Sequence, residues 1–303
     1  MNFGFCLSVY DRNIPLCFLV AVCFSAPPMI LLTKKQANSY TAMQNEDNIP
    51  ISTRWLLDAI GATGRSVINA VYLVFCPKTN SKGTGFLIKS GHIITNWHVI
   101  KDCGAAEVFA FSCNNETISF RSVLSDENRD LAILEPTKQF GNGLDVIDKR
   151  LEVGTKVSTW GHPLGYSGPT PILCVGYLAG FRDHRKDETS PTVRHYVINA
   201  AFNPGNSGGP LLASGDDKVI GVVVAKHAPI TRFLASAIEA LSKNPSGVVL
   251  TATDEKGNNQ QFVESQVVAM VLNYFRDMTQ VVIGEAIAGS ELIAFLKANN
   301  VRL

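Results

Sequence analysis

The chain has 303 residues, is 46% hydrophobic and 17% charged, and carries a formal net charge of +1. That composition supplies a packed core for one large domain or two small ones, and excludes a disordered chain or a basic nucleic-acid binder. Seven cysteines include no Cys-x-x-Cys pair, so no zinc motif is present and no metal or cofactor is expected.

In chain order, residues 14–24 form an apolar run broken by Pro15, followed by Ser25-Ala26-Pro27-Pro28. Three readings stand: a secretory signal cut near Ser25-Ala26, a short anchor, or sequence upstream of a true start at Met29 or Met43. A signal implies a periplasmic or secreted protein, a later start a cytoplasmic one. Membrane association is expected only through this segment. Residues 33–50 read as a polar linker, so 1–50 stand apart from a folded body at 51–303. Residues 51–61 predict a short helix with Trp55, Leu56, Ala59 and Ile60 on one face. Short β-branched runs follow at 67–76, 85–89, 92–95, 107–112, 117–123 and 131–134. After a Gly/Asp-rich loop come 156–161, 170–179, 193–201, 210–213 and 219–225. Regular short strands of this kind predict an all-β barrel or sandwich. Beyond 228 the sequence predicts a helix at 231–242, a strand at 247–253, a polar loop at 254–261 and a helix at 262–278. A strand at 281–287 and a helix at 290–299 complete the reading.

Three stretches carry chemistry. Asn203-Pro204-Gly205-Asn206-Ser207-Gly208-Gly209-Pro210-Leu211 sets one serine among glycines, a composition suited to a sharp turn that exposes a hydroxyl and aims N–H groups at one point. Upstream, Gly83-Thr84-Gly85-Phe86 leads to Thr95-Asn96-Trp97-His98-Val99, and Asp130 opens the apolar run Leu131-Ala132-Ile133-Leu134. A serine nucleophile needs an imidazole base, and the base needs a carboxylate to fix its tautomer. Gly205-Asn206-Ser207-Gly208-Gly209 also fits a Gly-x-Ser-x-Gly elbow, but that fold wants acid and histidine after the serine and a helix following it. Here both partners precede Ser207 and a strand follows.

These motifs, in this order, resemble the trypsin-like (chymotrypsin-fold) serine proteases, and among them the HtrA/Deg-type branch. The likeness spans roughly residues 65–226 and includes the weaker matches Leu151-Glu152-Val153-Gly154, Gly161-His162-Pro163-Leu164-Gly165 and Gly176-Tyr177-Leu178-Ala179-Gly180. It implies two six-stranded antiparallel β-barrels, the first at about 65–140, the second at about 150–226 plus 281–288. An insertion would occupy about 228–280, and a C-terminal helix 289–300. The triad would be His98, Asp130 and Ser207, with the N–H groups of Gly205 and Ser207 as oxyanion hole. Ala201 stands where basic-specific relatives carry aspartate, so Ala201 and Phe202 imply an apolar pocket, and an extended polypeptide substrate would pair beside Val223, Val224 and Ala225. Asn206 carries no charge, which argues against activation by a newly cut N-terminus. Secreted relatives bracket the catalytic histidine with a disulfide, but Lys82 occupies the partner's place. Cys103 pairing with Cys113, or free thiols, are the alternatives. The branch usually adds a peptide-binding PDZ module, and the expectation here is a branch member without one. The apolar stripe Val267, Met270, Val271, Tyr274 and Phe275 reads as core packing, with a homo-oligomer contact as the alternative. Function is therefore expected to be serine endopeptidase. A catalytically silent protease-fold module, binding or chaperoning polypeptides, is the rival.

Overall fold

The computed structural model describes residues 50–302, apart from 140, 165, 167, 214, 225–231, 254–258 and 279–282. The candidate signal, the linker and Ala225 lie outside the described residues. So do parts of the expected 228–280 segment.

Helices α1 (Ile51–Ala59) and α2 (Ala62–Ala70) precede the first strand. The sequence had predicted strand from residue 67. Instead Val67, Ile68 and Ala70 are buried from a helical turn, and the β-branched run becomes strand only at β1 (Val71–Cys76). The first barrel adds β2 (Ser81–Leu87), β3 (Ile93–Thr95), the helical turn α3 (Trp97–Ile100), β4 (Phe109–Phe111), β5 (Thr117–Asp126) and β6 (Leu131–Pro136). It closes in the order β1-β2-β3-β6-β5-β4, with every neighbour antiparallel.

The second barrel holds β7 (Lys156–Gly161), β8 (Ile172–His184), β9 (Val193–Asn199), β10 (Pro210–Ala213) and β11 (Val219–Val224). Strand β14 (Gly284–Ala288) inserts between β11 and β9 and closes the order β10-β11-β14-β9-β8-β7. The predicted fold class, two closed six-stranded antiparallel barrels, is what the chain forms.

Why these runs are so apolar follows from where they sit. β11 is buried at all six positions. Ile220 and Val223 fill the second barrel. Val219, Val222 and Val224 face a larger core shared with Phe86, Ile94 and Leu134 of the first barrel and with Leu292, Phe295 and Leu296 of the closing helix α6 (Gly289–Ala298). A strand covered on both faces reads as a continuous apolar run, and each buried valine stabilises the fold by about 1.5–3 kcal/mol.

Cys76 and Cys103 are disulfide-bonded, with Cα atoms 6.6 Å apart. The alternative pairing of Cys103 with Cys113 does not form. The turn after α3, closed by Cys103 N–H to Ile100 O, brings Cys103 to the end of β1. Cys113 is buried in the β4–β5 turn near the Asn69 and Asn114 side-chain oxygens, and Cys174 is also free.

Residues 232–278 form a separate compact unit. It contains α4 (Arg232–Lys243), β12 (Val249–Thr253), β13 (Asn259–Val263) and α5 (Glu264–Met278). The predicted polar loop therefore ends early, and the helix predicted from 262 begins at Glu264. Asn259, Gln260 and Gln261 carry no β signal, yet pair in register with Thr253, Ala252 and Thr251. Cross-strand pairing overrides local preference there. No helix among the described residues is long and apolar enough to cross a membrane.

Candidate active site

β3 ends at Thr95, and α3 then presents His98 on the first-barrel surface. Asp130 sits at the end of the β5–β6 turn in the left-handed region, with φ of 54°. That conformation is costly for a residue with a side chain and persists only where the surroundings hold it. Asn96, fully buried, donates from Nδ2 to Asp130 O at 2.8 Å. The Asp130 carboxylate accepts the His98 backbone N–H on Oδ1 at 2.9 Å and pairs with His98 Nδ1 through Oδ2 at 2.8 Å. An ionised carboxylate only accepts, so Nδ1 carries the proton and Nε2 is left as the basic nitrogen.

Ser207 is 3% exposed. Its carbonyl accepts the Thr84 N–H at 2.7 Å, and the next two residues are laced to β11: Gly208 N–H to Val223 O, and Val223 N–H to Gly209 O, each 2.9 Å. Gly208, with φ of +86°, lies so close to the histidine-bearing segment that a Cβ there would stand 2.1 Å from Thr84 O, 2.3 Å from Thr95 Oγ1 and 3.0 Å from Asn96 N. Only glycine fits such an approach. The Gly208 backbone, next to Ser207, is thus packed against Thr95 and Asn96, shortly before His98.

The loop before the serine is fixed by its carbonyls. Pro204 O accepts the Leu164 N–H, and Gly205 O accepts the Thr84 hydroxyl, both at 2.7 Å. Thr84 Oγ1 in turn accepts the His162 N–H at 3.0 Å. No peptide bond among the described residues is cis. In a planar trans peptide, N–H and C=O point oppositely. With Pro204 O turned to Leu164, the Gly205 N–H faces away from that segment, and it has no hydrogen-bond partner among the described residues. His162 itself is buried with Nε2 unpartnered among the described residues, and burial pushes its pKa down to about 4.

Of the other predicted residues, Phe202 and Val223 are placed in the second-barrel core. Phe202 packs against Gly284, where a Cβ would lie 2.4 Å from its ring. Val224 is buried in the shared core, and Ala201 is half-buried. Thr84, Asn96 and the Leu164 N–H were not assigned roles from sequence. The one available signal was Thr84 itself, a β-branched hydroxyl between two glycines.

Tandem closed six-stranded barrels are the architecture of the trypsin-like peptidases, and residues 83–222 match the family model of the trypsin-like peptidase domain. Similar curated proteins include the serine protease Do-like HtrA of Lactobacillus helveticus (34% identical; 59% of this chain, 43% of that one). The chloroplastic protease Do-like 1 of Arabidopsis thaliana is 35% identical (48% and 34%), and the serine protease Do-like HtrB of Bacillus subtilis 39% (43% and 29%). Over residues 83–222 the likeness is thus to the trypsin-like peptidase domain, and the similar curated proteins are named as HtrA/Do-type proteases. The chain spans less than half the length of these relatives. Among solved structures, the inactive form of the Rv3671c protease of M. tuberculosis has the same fold, with a TM-score of 0.51 at 18% identity over 78% of this chain and 92% of that one.

Proposed function

We propose that this chain is a serine endopeptidase, with Ser207 as nucleophile, His98 as general base and Asp130 as the orienting acid. The observation that carries this reading is the His98 Nδ1–Asp130 Oδ2 contact of 2.8 Å, which leaves Nε2 basic on the segment against which Ser207–Gly208 is packed. Ser207 Oγ attacks the substrate carbonyl carbon as its proton passes to His98 Nε2. The negative oxygen of the tetrahedral intermediate is received by the Gly205 and Ser207 N–H groups. The C–N bond then breaks as His98 protonates the leaving amine. Water, deprotonated by the same ring, releases the acyl group from Ser207. Asp130 keeps its negative charge throughout and stabilises the imidazolium.

Substrates are proposed to be polypeptides with a small or medium aliphatic side chain before the scissile bond. The support is Ala201, which offers no charge to a basic side chain. The substrate is proposed to pair beside the C-terminal end of β11, beyond Val223 and Val224, because both backbone groups of Val223 are engaged by Gly208 and Gly209 and Val224 pairs with Glu285 of β14.

A fluorophosphonate probe together with an unfolded protein substrate tests the reading. Wild type should label and cleave. Ser207→Ala should fold normally, lose the label and lower turnover by on the order of a million-fold. A well-folded wild type that neither labels nor cleaves refutes the enzyme and favours a silent binding module.

A further inference from the structure

Each residue of the turn that carries Asp130 reaches across to the second half of the fold. Glu127 pairs with Lys186 at 2.5 Å, Asn128 Oδ1 accepts the Ser190 hydroxyl at 3.3 Å, and Arg129 meets Glu291. The first two contacts are exposed, and such pairs contribute little. The third differs. Arg129 donates from Nη1 to Asp126 Oδ2 at 2.6 Å and from Nε to Glu291 Oε2 at 3.2 Å, with all three side chains less than a third exposed. Asp126 Oδ1 also accepts the Asn128 and Arg129 N–H groups at 3.0 Å. Glu291, in the first turn of α6, uses its other oxygen to accept the Arg194 N–H of β9 at 3.2 Å. A planar guanidinium bridging two carboxylates is a rigid, geometrically specific joint.

We infer that Glu291 and Arg129 are positioning residues for Asp130, so that the helix after β14 sets the alignment of the acid with His98. This rests on the reading of Asp130 as the triad acid. Arg129 adjoins a residue held in the left-handed region, so a displaced guanidinium turns the Asp130 peptide directly. The carboxylate must keep two contacts to His98, at 2.8 and 2.9 Å. Asn96 holds the Asp130 carbonyl from the first barrel, and the Arg129–Glu291 pair is the anchor that reaches the turn from α6.

The test compares wild type, Glu291→Ala, Glu291→Gln and Arg129→Lys by kcat and KM of peptide hydrolysis and by melting temperature. Glu291→Ala should lower kcat roughly ten- to hundred-fold, as a misplacement near 1 Å does, with KM little changed. Glu291→Gln, which still accepts a hydrogen bond, should recover most of the loss. Arg129→Lys, which cannot bridge both carboxylates, should behave like Glu291→Ala, and it decides the matter if that variant does not fold. A folded Glu291→Ala or Arg129→Lys with wild-type kcat overturns the inference. So does a loss that follows melting temperature alone and is not recovered by Glu291→Gln. A wild type inert to fluorophosphonate refutes the peptidase reading instead.

Discussion

Thr84→Val offers the sharpest perturbation of the loop before Ser207. Thr84 is fully buried, and its hydroxyl joins Gly205 O at 2.7 Å to His162 N–H at 3.0 Å. Valine keeps the shape and removes both bonds, so a carbonyl and an N–H are left buried without partners. Each such group costs about 1–3 kcal/mol, or roughly 2–6 kcal/mol together. In a protein of this size that lowers the melting temperature by roughly 5–15 °C. Freed from Thr84, the Gly205 carbonyl no longer fixes the loop, and the Gly205 N–H loses its aim. On the proposed role of that N–H as an oxyanion donor, its loss lowers kcat by about 10²–10³. Calorimetry and steady-state hydrolysis should therefore report a less stable protein with kcat down about a hundred-fold and KM little changed. Thr84→Ser, which retains the hydroxyl, should restore most of both. A Thr84→Val protein with the melting temperature and kcat of wild type would refute the reasoning.

Two further outcomes follow from buried groups. Burial lowers the His162 pKa from 6.5 to about 4. Between those values the unfolded chain binds more protons, so stability falls as pH drops through that window, by roughly 3 kcal/mol on reaching pH 4. His162→Leu should flatten the melting temperature against pH between 4 and 6.5, and an unchanged slope would count against this origin. The Cys76–Cys103 bond closes a sequence separation of 27 residues, which on chain entropy stabilises by about 3.5 kcal/mol. Reductant should lower the melting temperature by about 10 °C in wild type and leave a Cys76→Ala/Cys103→Ala double variant unmoved. Thiol titration showing full reduction without a thermal shift would contradict it.

The candidate residues His98, Asp130 and Ser207 could be picked out because each lies in a short contiguous motif whose composition is dictated by backbone geometry, with glycines at 205, 208 and 209 and an acid at a strand start, and the structure brings His98 and Asp130 together. The barrels were legible because their strands are short, β-branched and regularly spaced. What eluded the sequence depends on contacts between distant segments. Cys76 looks like any small apolar residue at a strand end until the register Cys76↔Ser81 and the turn after α3 bring Cys103 to it. Thr84 and Leu164 act through a hydroxyl and a main-chain N–H, and neither announces itself by residue type. The strand at Asn259–Val263 escaped because polar side chains on a two-stranded ribbon leave no alternation to read.

The place of β14 in the barrel has a consequence for biosynthesis. Translation completes the hydroxyl, the imidazole and the carboxylate long before it reaches Gly284–Ala288, yet β9 and β11 each keep a bare edge until that segment arrives. A nascent chain on the ribosome thus holds all three residues of the proposed triad while lacking the stave that shuts the barrel around the last of them. On the proposed peptidase reading, cutting power would be withheld from the translation machinery and its neighbours until the protein is nearly made, and trimming back past residue 284 would withdraw it again.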